Sequence, residues 1–94
     1  MAFTQPKMVT PYGGAINKTL NIANITANTT LETTVPWAGV DQNSIVFCRA
    51  DSLEDNLIIQ NPCECTAGNV ILRIANVYTV DVNPASQVFN FVKL

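Results

Sequence analysis

Apolar and polar residues alternate along several short segments of the chain, and turn-forming residues separate these segments. The clearest example is NVILRIANVYTV at residues 69–80, where Val70, Leu72 and Ile74 occupy alternate positions. Alternate residues of a β-strand face the same side of a sheet, so this period of two predicts a strand. Alternation, β-branched content and short apolar runs together predict strands at residues 19–23, 29–35, 44–49, 56–60, 69–80 and 87–94, with a brief extended piece within residues 61–69.

Turn-forming residues divide the predicted strands. Pro36 ends the second strand because proline has no N–H to donate to a neighbouring strand, and Asn83-Pro84 favours a turn before the last strand. Asn24 and Asn28 are predicted turn or bulge positions. No segment combines a sustained 3.6-residue period with capping residues, so helix is expected to be scarce. Several short strands separated by turns predict an all-β sandwich or barrel.

Residues 1–18 differ from the rest of the chain because prolines and glycines interrupt them while apolar side chains recur. Two interpretations stay open. One is a frayed chain end, and the other is an extended arm that lays apolar side chains on a neighbouring subunit. In the second interpretation the contact residues are Phe3, Met8, Val9 and Tyr12. The sequence is therefore divided into an extended N-terminal arm at residues 1–18 and a β-sandwich domain at residues 19–94.

Composition limits the functions that this domain can have. The chain has 94 residues, of which 48% are hydrophobic and 13% charged, and its formal net charge is -2. This length suits one small domain, and so few charges favour a surface that is partly covered by a partner. The basic residues are dispersed, which argues against nucleic-acid binding. No apolar run approaches the ~20 residues of a membrane-spanning helix, and the N-terminus lacks the apolar core of a signal peptide.

The first candidate chemical group is the set of three cysteines, Cys48, Cys63 and Cys65. Cys63 and Cys65 would face the same side of a strand, but a structural zinc site usually takes four nitrogen or sulfur ligands, and the chain has no histidine. A disulfide from Cys48 to one of the pair is an alternative. We expect instead reduced thiols that pack as small apolar groups, in a protein made in a cytosol-like compartment, with no bound metal.

Acidic residues and Trp37 are the remaining candidates. The segment DSLED, Asp51–Asp55, could offer oxygen ligands to calcium, but a solvated turn with Asp51 as a cap is the favoured interpretation. Without histidine no conventional triad can be assembled, so we expect no enzyme activity, no catalytic residue and no cofactor. Trp37 is either a contact residue for a partner, as aromatic residues often are, or a lid over one end of the sandwich.

The order of motifs from Thr29 to Leu94 resembles a family of small bacteriophage virion domains found in head decoration proteins, head fibres, and tail fibres or spikes. The resemblance rests on a strand that leads to a Val-Pro turn with a nearby Asp, a V-x-R-x-x-N type strand, and an Asp/Asn-Pro-Ala turn before a closing aromatic strand. The matching residues are Val35, Pro36 and Asp41, then Val70 or Leu72 with Arg73 and Asn76, then Pro84, Ala85 and Phe89.

The resemblance implies a capsid decoration, or cement, protein with a single jelly-roll-like antiparallel β-sandwich. Such a protein would bind the major capsid protein on the outer capsid surface as a homotrimer, stabilise contacts between capsomers, and be made in the host cytoplasm. Its contact surfaces would be the arm and the loop of Trp37. The alternatives are a tail, neck or fibre component of the virion and, from another class, a carbohydrate- or calcium-binding module built on Trp37 and the Asp51–Asp55 loop.

Overall fold

A computed structural model describes residues 13–94, which form seven β-strands and no helix. The strands are β1 Gly14–Leu20, β2 Thr30–Pro36, β3 Val46–Ala50, β4 Leu57–Ile59, β5 Glu64–Thr66, β6 Asn69–Asn76 and β7 Gln87–Lys93. The prediction of an all-β protein is confirmed. Within this part of the chain, no helix is long and apolar enough to cross a membrane.

The strands form two antiparallel sheets. The first sheet has the order β1-β7-β3, and the second has the order β2-β6-β4, with β5 also paired to β6. β4 pairs with the last three residues of β6 and β5 with its first three, while β2 occupies the other edge of β6. β6 and β7 are therefore the central strands of the two sheets.

Alternate residues of the two central strands form the core. Val70, Leu72 and Ile74 of β6 and Phe89 and Phe91 of β7 belong to one buried cluster and have no solvent exposure. Each position matters for stability, because truncating a buried phenylalanine to alanine typically costs about 3–5 kcal/mol. The packing of one antiparallel sheet on the other confirms the predicted small β-sandwich. Its jelly-roll character stays a prediction.

A short bridge joins the two sheets along one side of the sandwich. Val46 of β3 forms an isolated antiparallel bridge with Cys63, whose N–H donates to the Val46 carbonyl at 2.7 Å. The Asn61 side chain adds two hydrogen bonds, since its oxygen accepts from the Cys48 N–H at 2.8 Å and its amide donates to the Cys48 carbonyl at 2.9 Å. Asn61 thus replaces a strand residue next to β3 and satisfies part of that edge.

Strand β1 begins at Gly14, so the last residues of the predicted arm, residues 1–18, belong to the sandwich. β1 pairs with β7 over its full length, and Ile16 and Leu20 pack against the core. Lys18 stands between them in the same parity and is exposed, because β1 is the edge of its sheet. Because Lys18 interrupts the alternate apolar positions of β1, the sequence pattern does not predict this strand. On an edge strand, an inward-pointing charge also discourages pairing with another chain.

Strand β6 ends at Asn76, earlier than the end of the predicted strand at residue 80. Asn76 is 1% exposed. Its amide donates to the carbonyls of Ile25 (3.0 Å) and Val80 (2.9 Å), and its oxygen accepts from the N–H of Tyr78 (2.9 Å). These hydrogen bonds hold residues 77–80 in a turn. Asn76 is polar yet buried, because these hydrogen bonds satisfy its side chain. The alternation of apolar and polar residues therefore does not mark the end of this strand.

We predict that Asn76→Ala lowers the free energy of unfolding by roughly 3 kcal/mol. The Tyr78 N–H and the Val80 carbonyl lose their partner, and the Ile25 carbonyl keeps only the Val82 N–H. Urea unfolding followed by intrinsic fluorescence measures the change. Asn69→Ala is the matched control at the other end of β6, since the Asn69 amide donates only to the exposed Ala67 carbonyl at 3.3 Å. The control should change the free energy by less than about 0.5 kcal/mol. Equal losses in the two variants would contradict the role given to Asn76.

Candidate functional site

One end of the sandwich, which we call the Trp37 end, is closed by the residue that follows β2. The Trp37 N–H donates to the Gly68 carbonyl at 2.9 Å, and the Gly68 N–H donates to the Val40 carbonyl at 2.7 Å. The indole is half-buried against the core. Lys93 Nζ lies 5.8 Å from the ring centroid, a cation–π distance, and donates to the Gly39 carbonyl at 3.3 Å. These contacts support the interpretation of Trp37 as a lid.

The described chain enters the sandwich at this same end. Gly13 donates its N–H to the Lys93 carbonyl, and a Cβ at this position would meet the Leu94 carbonyl oxygen at 3.0 Å. Gly14 has a φ of +134°, and a Cβ there would lie 3.7 Å from the Trp37 ring. Gly13 therefore lets the backbone run close to the end of β7, and Gly14 adopts a conformation that other residues rarely adopt. Outside the described residues lie four predicted contact residues: Phe3, Met8, Val9 and Tyr12.

The outer face of the first sheet carries exposed apolar side chains at the Trp37 end. Ile45 is 49% exposed, Phe47 42% and Leu94 48%. Val92 lies beside Phe47 on β7, with Ala15 of β1 on its other side. The Leu94 N–H donates to the Ile45 carbonyl at 2.9 Å, which extends the sheet by one further row. We call Ile45, Phe47, Val92 and Leu94 the outer strip.

A polar row borders the outer strip on the side away from the Trp37 end. Asn17, Asn90 and Arg49 lie side by side across β1, β7 and β3. The Asn90 amide donates to the Asp51 carboxylate at 2.8 Å, and the Arg49 guanidinium lies 3.7 Å from the same carboxylate. None of the four residues of the outer strip is charged. The strip is therefore an apolar surface with a defined polar border.

The outer face of the second sheet is polar at its centre. The Arg73 guanidinium lies 2.6 Å from Glu32 and 2.7 Å from Glu64, which stand on the two neighbouring strands. The hydrogen bond to Glu64 is the largest cause of a raised pKa of Arg73, so the guanidinium keeps its charge. Exposed ion pairs of this kind contribute little to stability. Their effect here is to keep the middle of this face hydrated, in contrast to the outer strip.

A second apolar group lies beyond this polar centre. Its members are Ile58, Val77, Tyr78 and Val80, all of them exposed. The Val77 N–H donates to the Asn56 carbonyl at 3.0 Å, which places the turn after β6 beside β4. A small open pocket next to it is lined by residues 28–30 and 75–77. No titratable side chain lines this pocket.

The Asp51–Asp55 loop lies at the opposite end of the first sheet from Trp37. Asp51 donates its N–H to a carbonyl near the start of β7, whereas Trp37 contacts the end of β7. The Glu54 carboxylate accepts the Ala85 N–H at 2.7 Å and so ties two loops together. Among residues 13–94, no three His, Cys, Asp or Glu side chains are grouped to hold a metal ion. The structure thus separates the two parts of the predicted carbohydrate- or calcium-binding module.

The three cysteines are buried and free. Burial raises the pKa of Cys48 to about 12, with a smaller effect from Cys63. Burial likewise raises the pKa of Cys63 to about 11, with a smaller effect from Cys65. Burial is also the main cause of a raised pKa of Cys65, ahead of the charges of Asp41 and Glu64. Because the thiolate is the reactive form, these buried protonated thiols behave as small core residues.

None of the contact residues predicted from the sequence belongs to the outer strip, although the apolar pattern of β3 and β7 indicates it. Ile45 and Phe47 flank the buried Val46 on β3, and Val92 and Leu94 continue the outward parity of β7. The outward residues of a strand with one solvated face are commonly polar. Apolar residues on both faces of a strand therefore indicate that both faces are covered. The described residues cover only one face.

No protein-family model, curated protein or solved structure matches the chain. The resemblance to phage virion domains therefore rests on the sequence motifs alone. The Trp37 end and the outer strip are the structural features that bear on function.

We predict that the free energy of unfolding falls as the pH rises from about 9 toward 12. In this range the cysteine thiols, with an ordinary pKa of 9.0, ionise in the unfolded chain, whereas Cys48 and Cys63 stay protonated in the fold. The sign follows from the raised folded pKa, since the stabilisation is complete below the unfolded pKa and disappears through the folded pKa. Urea unfolding at a series of pH values measures the slope. Cys48→Ala should make the slope shallower.

Val46→Ala is the matched control for Cys48→Ala, because Val46 is a fully buried residue of the same strand with no ionisable group. It should lower stability equally at every pH and leave the slope unchanged. An unchanged slope in Cys48→Ala would contradict the assignment of the alkaline loss to this thiol.

Proposed function

We propose that this protein is a bacteriophage capsid decoration, or cement, protein. It binds the major capsid protein on the outer capsid surface and stabilises contacts between capsomers. It acts as a homotrimer of jelly-roll-like β-sandwiches, is made in the host cytoplasm, and catalyses no reaction. The observation that carries this proposal is the convergence of contact elements at the Trp37 end.

The Trp37 end gathers three elements of a contact surface. Residues 1–12 join the sandwich at Gly13, which lies next to Leu94 of the outer strip and one residue from the position that faces the Trp37 ring. An aromatic side chain, an apolar strip and the attachment point of an apolar chain segment therefore lie at one end of the described sandwich. Aromatic residues and Met are enriched in protein interfaces. This concentration supports attachment of the protein by that end.

Two strand edges support association between copies. In the described part of the chain, no strand pairs with the outer edge of β1 or of β2, and each strand is seven residues long. Unpaired edges accept an extended segment of another chain through main-chain hydrogen bonds. Lys18 points inward on β1 and opposes such pairing, whereas the inward residues of β2 are Leu31, Thr33 and Val35. The edge of β2 is therefore the better acceptor in a trimer.

A trimer also makes weak individual contacts sufficient for attachment. Linked contacts raise the effective concentration of one another, and overall affinity can exceed that of one contact by roughly 10²–10⁴. With a net charge of only -2, the chain has little long-range attraction for a partner. Attachment by apolar surfaces, repeated in each subunit, is consistent with both properties.

We predict that the purified protein binds expanded capsids prepared without it. Replacing Met8, Val9 and Tyr12 together by serine should weaken this binding by at least about tenfold, because interface affinity concentrates in a few apolar and aromatic residues. Cosedimentation with capsids measures binding, and mass measurement in solution gives the oligomer. Failure of the unmodified protein to bind such capsids would remove the proposal.

Val80→Ser is the matched control, because Val80 is exposed but lies on a turn of the second sheet, away from the Trp37 end. It should bind capsids like the unmodified protein. An electron-microscopy map of the decorated particle separates the capsid assignment from the alternative, a tail, neck or fibre component, since density of the sandwich on the tail alone would favour the alternative.

A further inference from the structure

One side of the sandwich is joined, and the opposite side carries two strand edges. On the joined side, Val46 of β3 forms its bridge with Cys63, just before β5. β1 and β2 occupy the other edges of their sheets, so they lie together on the opposite side. Their ends agree with this placement, since a Cβ at Gly14 of β1 would lie 3.7 Å from the ring of Trp37, which follows β2. In the described part of the chain, two unpaired edges therefore lie side by side.

These two edge strands run in opposite directions. β3 is antiparallel to β7 and to the Cys63 segment that continues into β5, and β5 is antiparallel to β6. The central strands β6 and β7 are therefore antiparallel to each other. Because β1 is antiparallel to β7 and β2 to β6, β1 and β2 are also antiparallel. Rotation about an axis along the strands keeps these directions, so β1 of one copy meets β2 of the next in an antiparallel orientation.

Hydrogen bonding within the second sheet leaves alternate residues of β2 free on the outer edge. The Trp37 N–H donates to the Gly68 carbonyl, and the Asn76 N–H donates to the Thr29 carbonyl. Since antiparallel strands bond to one neighbour through every second residue, the odd-numbered residues of β2 bond toward β6. The residues whose N–H and C=O face the free edge are therefore Thr30, Glu32 and Thr34.

On β1 the free main-chain groups belong to odd-numbered residues. The Leu94 N–H donates to the Ile45 carbonyl, so the even-numbered residues of β7 bond toward β3. The odd-numbered residues of β7 then bond toward β1, where the register places them opposite even-numbered residues. The residues of β1 whose N–H and C=O face the free edge are therefore Ala15, Asn17 and Thr19.

Lys18 selects one register between the two edges. It is the inward charge of β1, and an apolar residue opposite it would leave this charge beside a hydrophobic side chain. Opposite Thr33, Lys18 faces a hydroxyl group, whereas a shift of two residues places it opposite Leu31 or Val35. A shift of one residue would bring together main-chain groups that already bond within their own sheets. In the selected register the flanking inward pairs are apolar, Ile16 with Val35 and Leu20 with Leu31.

The outward residues of this register also match. The facing pairs are Ala15 with Pro36, Asn17 with Thr34, and Thr19 with Glu32. The second and third pairs each exchange two main-chain hydrogen bonds, and the first makes one because proline has no N–H. Glu32 is the single charged residue among the six, so no like charges meet. The first sheet of one copy then continues into the second sheet of the next.

We propose that β1 of each copy pairs antiparallel with β2 of the next copy, with Asn17 opposite Thr34. This pairing rests on the proposed function, from which it takes the homotrimer, and it supplies the contact that closes it. A contact between two different edges is heterologous, and repeated heterologous contacts form a closed ring when the rotation divides a full turn. Every subunit then uses both of its edges, which unpaired would invite uncontrolled association.

An engineered disulfide in the full chain tests the pairing and its register without the capsid. Asn17→Cys and Thr34→Cys, introduced together, place thiols on the outward faces of different sheets, so they can be bridged only between copies. We expect covalent dimers and trimers on a non-reducing denaturing gel after oxidation. Asn17→Cys with Glu32→Cys is the matched control and should stay monomeric, because diagonal neighbours lie about 7–8 Å apart, too far for a disulfide. Only monomers in the first variant, or equal cross-linking in both, overturns the proposal.

Thr34→Pro gives a second measurement. It removes an N–H that faces the free edge and leaves the hydrogen bonds from β2 to β6 in place. Mass measurement over a concentration series should show the midpoint of association raised at least about tenfold, since a lost hydrogen bond and the proline ring both oppose pairing. Thr34→Ala keeps the N–H and should shift the midpoint less than about twofold. Unchanged amide shifts in β7 verify the fold of both variants. Unchanged association in Thr34→Pro overturns the proposal.

Capsid binding separates a failure of this pairing from a failure of the proposed function. Binding to expanded capsids by a protein that does not form the cross-link overturns the pairing and leaves capsid attachment standing. Cross-linked trimers that do not bind such capsids overturn the proposed attachment and support the pairing.

Discussion

The packing of β6 against β7 supports every other part of this molecule. The inward residues of the two strands, among them Leu72 and Phe91, form the centre of the core, and all other strands are held by hydrogen bonds to one or the other. β1 and β3 depend on β7, while β2, β4 and β5 depend on β6. A chain of this size buries only about 60–65% of its unfolded surface. Loss of the contact between the central strands would therefore separate the two sheets.

The two sheets differ in what they present outward, and this difference determines where a partner can bind. Arg73 and its two glutamate partners keep the centre of the second sheet hydrated. The first sheet has no such network at the Trp37 end, where its outer face carries Phe47 and Leu94. Placing an apolar surface in water is unfavourable unless something covers it for part of the time. Coverage by a partner would satisfy this constraint.

Alternation could predict the all-β class and the approximate positions of β2, β3, β4 and β7, because each of these strands has apolar residues on the buried parity. It could not locate the start of β1 or the end of β6, where Lys18 and Asn76 occupy inward positions. Both residues depend on tertiary context, since Lys18 is solvated at a sheet edge and one partner of Asn76, the Ile25 carbonyl, lies in a distant segment. Trp37 was recognisable as a lid or a contact, but the outer strip was not, because its exposure depends on which strands pair.

The last residues of β7 show how the core, the lid and the outer strip depend on one register. Phe91 is buried, Val92 faces outward, Lys93 reaches over Trp37, and Leu94 faces outward again. A shift of one residue in the pairing of β7 would exchange these faces. It would expose the phenylalanines and direct Val92 to the lid. The pairing of β1 and β3 on both sides of β7 fixes the register, and the same hydrogen bonds that hold the fold therefore position the surface through which we propose that the protein acts.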